Sequence, residues 1–238
     1  MTDIWQVLAL TLAAGVMIPA GGLLAHYERL RQGHLRDDLL AGVVAFGGGA
    51  LLAAVVLLLI PEALEYGAPL LLVGSFLAGA LVALWGNHIV ERRGTKMGQL
   101  GAMLFDFVPE SLALGAVAAT GAPGALLLAL LIGLQNLPEG FNAYREMCNS
   151  DRAKWDHGPG LILLGAVALV GPAAGWIGFH FIAGDGPLLA AILMAAAGGI
   201  LALVFSDIAP LAHRSMHPAP TMGMVLGFGL GLTGLLFL

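Results

Sequence analysis

Charge and cysteine are both scarce in this chain. Charged residues make up 11% of its 238 positions, against roughly 25% in a soluble globular domain, so an ordinary solvated surface is excluded. The single cysteine, Cys148, excludes an intramolecular disulfide and a cysteine-based metal site. The sequence has no His-Glu-x-x-His pair and no Gly-x-Ser-x-Gly elbow, the marks of zinc proteases and serine hydrolases. No enzymatic activity is expected, no prosthetic group is implied, and nothing points to a nucleic-acid partner.

Apolar residues fill the space that charge leaves. The chain is 59% hydrophobic with a mean hydropathy of +0.91, and its apolar stretches are each about 20 residues long, enough for a helix to cross a hydrocarbon core of about 30 Å. Eight such spans are expected, at about 4–25, 39–61, 69–90, 97–119, 123–143, 159–183, 187–211 and 219–238. They leave short loops and no soluble domain. Runs such as Leu51 to Ile60 do not alternate apolar with polar residues, as a membrane β-barrel strand must. The expected fold is an all-α integral membrane protein, one transmembrane domain over 1–238.

Basic residues are missing from every second loop. All ten fall after spans 1 (Arg29, Arg31, Arg36), 3 (Arg92, Arg93, Lys96), 5 (Arg145, Arg152, Lys154) and 7 (Arg214). Cytoplasmic loops carry the excess of Lys and Arg, so both termini are expected outside, in a multi-pass protein of a cell membrane such as the bacterial inner membrane. Asp3, with no Lys or Arg before span 1, argues against a cleaved signal peptide.

Against this apolar background two stretches stand out. Phe105-Asp106-Phe107-Val108-Pro109-Glu110-Ser111 and Leu134-Gln135-Asn136-Leu137-Pro138-Glu139-Gly140 share one layout at an offset of 29 residues. In helices, Asp106 with Glu110 and Gln135 with Glu139 lie one turn apart on a single face. Each proline also leaves the carbonyl four residues back without its amide donor, those of Phe105 and Leu134. A charged carboxylate at mid-membrane costs about 2.5–3.5 kcal/mol even on insertion scales, and no Lys or Arg sits in these spans to offset it. Four oxygen-bearing side chains converging between two helices suit a cation.

Other polar positions carry two readings each. Glu62 and Glu65, with Asp3 and Asp185 on the same face, form solvated helix ends or a funnel that concentrates cations. Asp207 is a pathway residue near the inner mouth or a helix-end carboxylate facing Arg214. His180, His213 and His217 are interfacial or lie along the path. Gly223, Gly227 and Gly231 mark a close helix contact, within the monomer or across a homodimer.

At Gln135-Asn136-Leu137-Pro138-Glu139-Gly140 and Asp106-Phe107-Val108-Pro109-Glu110-Ser111 the chain resembles the ZIP (Zrt-, Irt-like protein) family of divalent-metal transporters, prokaryotic type. The likeness extends to eight spans with both ends outside, Pro61-Glu62 closing span 2, and the Gly198-Gly199 to Pro210 pattern of span 7. It implies a ZIP-like bundle of 3+2+3 inverted repeats in which spans 4 and 5 enclose the metal path, with alternating access and a divalent cation as substrate. It also implies Asp106, Glu110, Gln135 and Glu139 as metal ligands, with Asn136, Asp207, His180 and His213 as possible pathway residues. The family's helix 4 histidine is replaced here by Asp106. At the adjacent second metal position the usual asparagine is Phe107, a common aspartate is Asn136, and the helix 6 glutamate is Gly171. A single oxygen-rich site is expected, leaning toward harder ions such as manganese or iron(II) beside zinc or cadmium. From a different class, the depleted second position fits a protein that binds metal without moving it, a sensor or structural subunit.

Overall fold

The computed structural model describes residues 3–30, 37–93, 98–149, 157–210 and 218–238. All the regular structure there is helical, and eight helices are long and apolar enough to cross a membrane. The chain is a multi-pass helical bundle of membrane type. Numbered here in chain order, α1 is Ile4–Leu30, α3 Pro69–Arg93, α4 Gly98–Thr120, α5 Gly124–Asn149 and α8 Ala219–Leu236. The other three are composite: α2 is Asp37–Ala54 continued through Val55–Leu59 and Ile60–Leu64, α6 is His157–Ala168, Val170–Ile177 and Gly178–Ile182, and α7 is Gly186–Leu203 continued through Val204–Ile208.

The expected spans are all present, with two differences. Helix α5 runs on to Asn149 instead of stopping near 143, because Phe141, Tyr144, Met147 and Cys148 are buried at helical spacing and hold the extra turn against the bundle. The second difference is a widened π turn in each composite helix, at Val55–Leu59, Gly178–Ile182 and Val204–Ile208. Two of them stand at one offset from a proline. Pro61 and Pro210 cannot donate to the carbonyls of Leu57 and Ser206, and the turn ahead widens so that Ile60 N donates to Val55 O and Ala209 N to Val204 O. Single π turns are common at functional sites.

Five helix pairs dominate the packing: α1 with α5, α2 with α8, α3 with α7, α4 with α6 and α1 with α6. Small residues set these pairs, since apolar side chains gain nothing by leaving lipid and close backbone approach supplies the contact. In the α2–α8 pair Gly49 lies on the Met224 carbonyl and Gly227 on the Phe46 carbonyl, so close that a Cβ at either would overlap the facing backbone. The α3–α7 pair repeats this arrangement, with Gly198 on the Phe76 carbonyl and Gly79 on that of Ala195. The Gly223, Gly227 and Gly231 stripe is buried against α2, so its packing is internal to the monomer. Gly21 of α1 likewise meets the Leu137 carbonyl of α5, which makes it a packing point.

Helix α5 is the most buried span and α3 the least. The basic residues that set the expected orientation, Arg145 apart, lie outside the described side chains. His213 and His217 also lie outside the described residues.

Candidate metal site

Helices α4 and α5 bring the two polar stretches together in the centre of the bundle. Glu110 and Gln135 are each 2% exposed, whereas Asp106 and Glu139 are only partly covered. Gln135 donates from its amide to the Glu139 carboxylate one turn on, as the i, i+4 spacing allows. The charge of Glu139 is felt by both Glu110 and Asp106. Asp106 also lies within electrostatic reach of Glu110 and of Asp207 on α7. Among the described residues, the charged neighbours acting on these three carboxylates are therefore all carboxylates.

The oxygens at this point lack partners. Glu110 Oε1 and Oε2, Ser111 Oγ, Gln135 Oε1, Asn136 Oδ1 and Glu139 Oε2 are buried with no hydrogen-bond partner among the described residues. Leaving a buried polar group unsatisfied costs about 1–3 kcal/mol, more when it is charged, so these six atoms on neighbouring turns of α4 and α5 call for partners that water, protons or a bound cation can supply. Ser111, which the sequence pattern does not single out as a ligand, belongs to this set because it follows Glu110 on the same buried turn. The side chains stand apart rather than in a closed cage: among the described residues no three His, Cys, Asp or Glu side chains are grouped closely enough to hold a metal as they stand. A cation bound by Glu110, Glu139 and Asp106 together would have to pull them inward.

The remaining candidates divide. Asn136 is fully buried, and its Nδ2 donates to the Ala14 carbonyl of α1 at 2.9 Å, tying α5 to α1 while its Oδ1 stays free. Asn136→Ala is expected to lower stability by about 0.6–1.7 kcal/mol, the measured span for hydrogen bonds between membrane helices, read by reversible unfolding in mixed micelles. Asp207 sits in the widened turn of α7, where it accepts from Asn87 Nδ2 at 3.1 and 3.3 Å and from Ser206 Oγ at 2.7 Å. It is thus held at the edge of the site by α3 and by its own helix. His180 is exposed, stacked on Trp176 at 4.6 Å between ring centroids, with Nδ1 3.1 Å from the Trp176 carbonyl. It belongs to an aromatic cluster with Trp176, Phe179 and Phe181 at the C-terminal end of α6.

Of the acidic residues at the expected outer face, Asp185 caps α7, accepting from Leu188 N at 3.1 Å. Glu62 accepts from Thr120 Oγ1 at 3.3 Å. Both therefore serve helix ends.

Phe107 is fully buried, and its ring tip fills a notch between α1 and α6 where Gly15 and Gly171 leave room. A Cβ built on those glycines would stand 3.1 and 2.6 Å from Phe107 Cζ. The aromatic ring and the missing side chain at Gly171 are complementary, and together they close that side of the site.

The fold and the site define a multi-pass helical membrane bundle with an uncompensated oxygen cluster at its centre. No protein-family model matches the chain, and no curated protein matches it.

Proposed function

We propose that this protein moves divalent metal cations across a membrane by alternating access, through a single site formed by Glu110, Gln135 and Glu139 with Asp106 at its edge. The observation that carries this reading is the set of six oxygens buried on α4 and α5 without a hydrogen-bond partner among the described residues, on helices whose carboxylates have only carboxylates as charged neighbours among those residues. A divalent cation supplies what that arrangement lacks. Oxygen-only ligation favours harder ions, which places manganese and iron(II) in the accepted set beside zinc and cadmium. The resemblance to ZIP transporters rests on the Pro-Glu stretches of α4 and α5 and belongs to this same proposal.

The helix pairing supports the 3+2+3 inverted repeat. Exchanging α1 with α6, α2 with α7, α3 with α8 and α4 with α5 turns the α1–α5 pair into α6–α4 and the α2–α8 pair into α7–α3. Each exchanged helix would cross the membrane in the opposite direction to its mate. Substrate sites of such transporters lie at the repeat interface near the midplane, the position this proposal gives to Glu110 and Glu139. The bacterial inner membrane, with both termini outside, is the setting the charge pattern favours.

Uptake of manganese, iron(II), zinc and cadmium by sealed proteoliposomes tests the reading. Saturable uptake of more than one of these ions is expected. Zinc excluding the others by orders of magnitude would contradict the oxygen-ligand argument. A second reading, binding without transport, draws on the Phe107 plug, and saturable binding with no flux of any ion would favour it.

Protons and metal compete for the same carboxylate oxygens, so binding a cation releases whatever protons they hold. Uptake is expected to fall as the pH is lowered symmetrically on both sides, by up to about tenfold per unit for each proton displaced. A flat profile between acidic and neutral pH would remove proton linkage from this site.

A further inference from the structure

Between α3, α4 and α7 the bundle leaves a cavity of about 700 Å³, within the range of about 300–1,000 Å³ that small-molecule sites occupy. Its walls include Gly79 and Val82 of α3, Pro109 of α4, and Ala195 and Gly199 of α7. Asp106 is the single ionisable residue among those lining it. The other side chains in the wall are hydrocarbon or glycine, so none can donate a hydrogen bond. The polar equipment is thus one carboxylate in an apolar chamber. Val82 and Phe105 are exposed on the bundle surface and α3 is the least buried span, so the chamber is reached sideways from the bilayer.

A neutral acyl chain would fill this volume but leave the Asp106 carboxylate without a donor, at the cost that buried polar groups carry. An anion would be repelled by the carboxylate. An alkylammonium suits both features, since its chain covers the apolar wall and its N–H and charge complement the Asp106 carboxylate. We propose that this cavity is a binding site for amphiphilic amines entering from the bilayer, the ammonium group on Asp106 and the hydrocarbon chain against α3 and α7. Such an amine shares Asp106 with the cation site and would compete with metal there. That consequence rests on the transport reading, whereas the binding does not.

Photolabelling of the full-length protein in liposomes tests it, using N,N-dimethyldodecylamine with a terminal diazirine and, as the neutral comparison, dodecanol bearing the same diazirine. At equal membrane concentration the amine is expected to label peptides of α3 and α7 about tenfold more strongly than the alcohol, the scale of a charge-assisted hydrogen bond. Asp106→Asn should reduce amine labelling to the level of the alcohol while alcohol labelling persists and reports an intact fold. Ala83→Phe, which fills the chamber and leaves the carboxylate in place, should remove labelling by both. Equal labelling of the wild-type protein by the two probes would overturn the proposal in favour of space for an acyl chain. Amine labelling that survives Ala83→Phe, or that maps away from α3, α4 and α7, would also overturn it. The comparison on the wild-type protein needs no variant and no metal flux, so its outcome is separate from that of the transport experiment.

Discussion

Replacing Glu139 by alanine is expected to reduce divalent-metal uptake by sealed proteoliposomes about 100-fold or more. Glu139 is the hub of the polar cluster: Gln135 donates to it, and Glu110 and Asp106 both interact with its charge. Removing one member of a buried charge pair costs about 2–5 kcal/mol, and each 1.4 kcal/mol is a factor of ten in affinity. The loss should fall on affinity and flux, with folding retained, because the substitution removes a carboxylate that has no basic partner acting on it. Glu139→Gln separates the two contributions, keeping the volume and the Gln135 contact while deleting the charge. Uptake close to wild type in both variants would place the cation path elsewhere.

Gly227→Val is expected to have the largest effect on stability. Gly227 presses its Cα against the Phe46 carbonyl of α2, and even a Cβ would overlap that backbone. Valine adds three carbons at a contact between two main chains, which cannot move aside as a flexible side chain can. Overpacking costs about 1–3 kcal/mol and sometimes more, and here the α2–α8 pair that frames one flank of α5 would have to part. The expected result is little monodisperse protein on size exclusion and a lowered thermal midpoint. Gly229, two residues along the same helix, faces open space within 4 Å of where its Cβ would be, so Gly229→Ala should behave as wild type. Equal tolerance of both substitutions would mean that α8 does not pack on α2 as described.

The contrast between these two glycines also marks what a sequence can and cannot convey. Each span is visible as an apolar run because every helix crossing the hydrocarbon must be apolar on most of its surface. That same requirement hides which helix α8 meets: the four-residue spacing of Gly223, Gly227 and Gly231 marks its contact face and leaves Gly229 off it, but hydrophobic periodicity names no partner. Glu110 and Glu139 are visible because an ionisable group within such a run is costly, and their shared spacing from a proline links them. The role of Asn136 is not visible, because its partner is a main-chain carbonyl at Ala14, 122 residues away. Nor are the widened turns before Pro61 and Pro210, which depend on how the chain reroutes carbonyls that the prolines leave unpaired. Asp207 stands between two readings for this reason: only the widened turn of α7 and the hydrogen bonds from Asn87 and Ser206 place it beside Asp106. The extension of α5 past 143 is hidden because polar Asn142, Arg145 and Glu146 interrupt the apolar run while the buried face continues beneath them.

A cation held by the buried oxygens of α4 and α5 is tested most directly by an anomalous-difference map from crystals of the wild-type protein equilibrated with manganese. The expected result is one peak bounded by Glu110, Gln135 and Glu139, with Asp106 at its edge and no second peak beside Phe107. Manganese found only at surface carboxylates, with those oxygens left bare at saturating metal, would contradict the assignment of this cluster as the metal site.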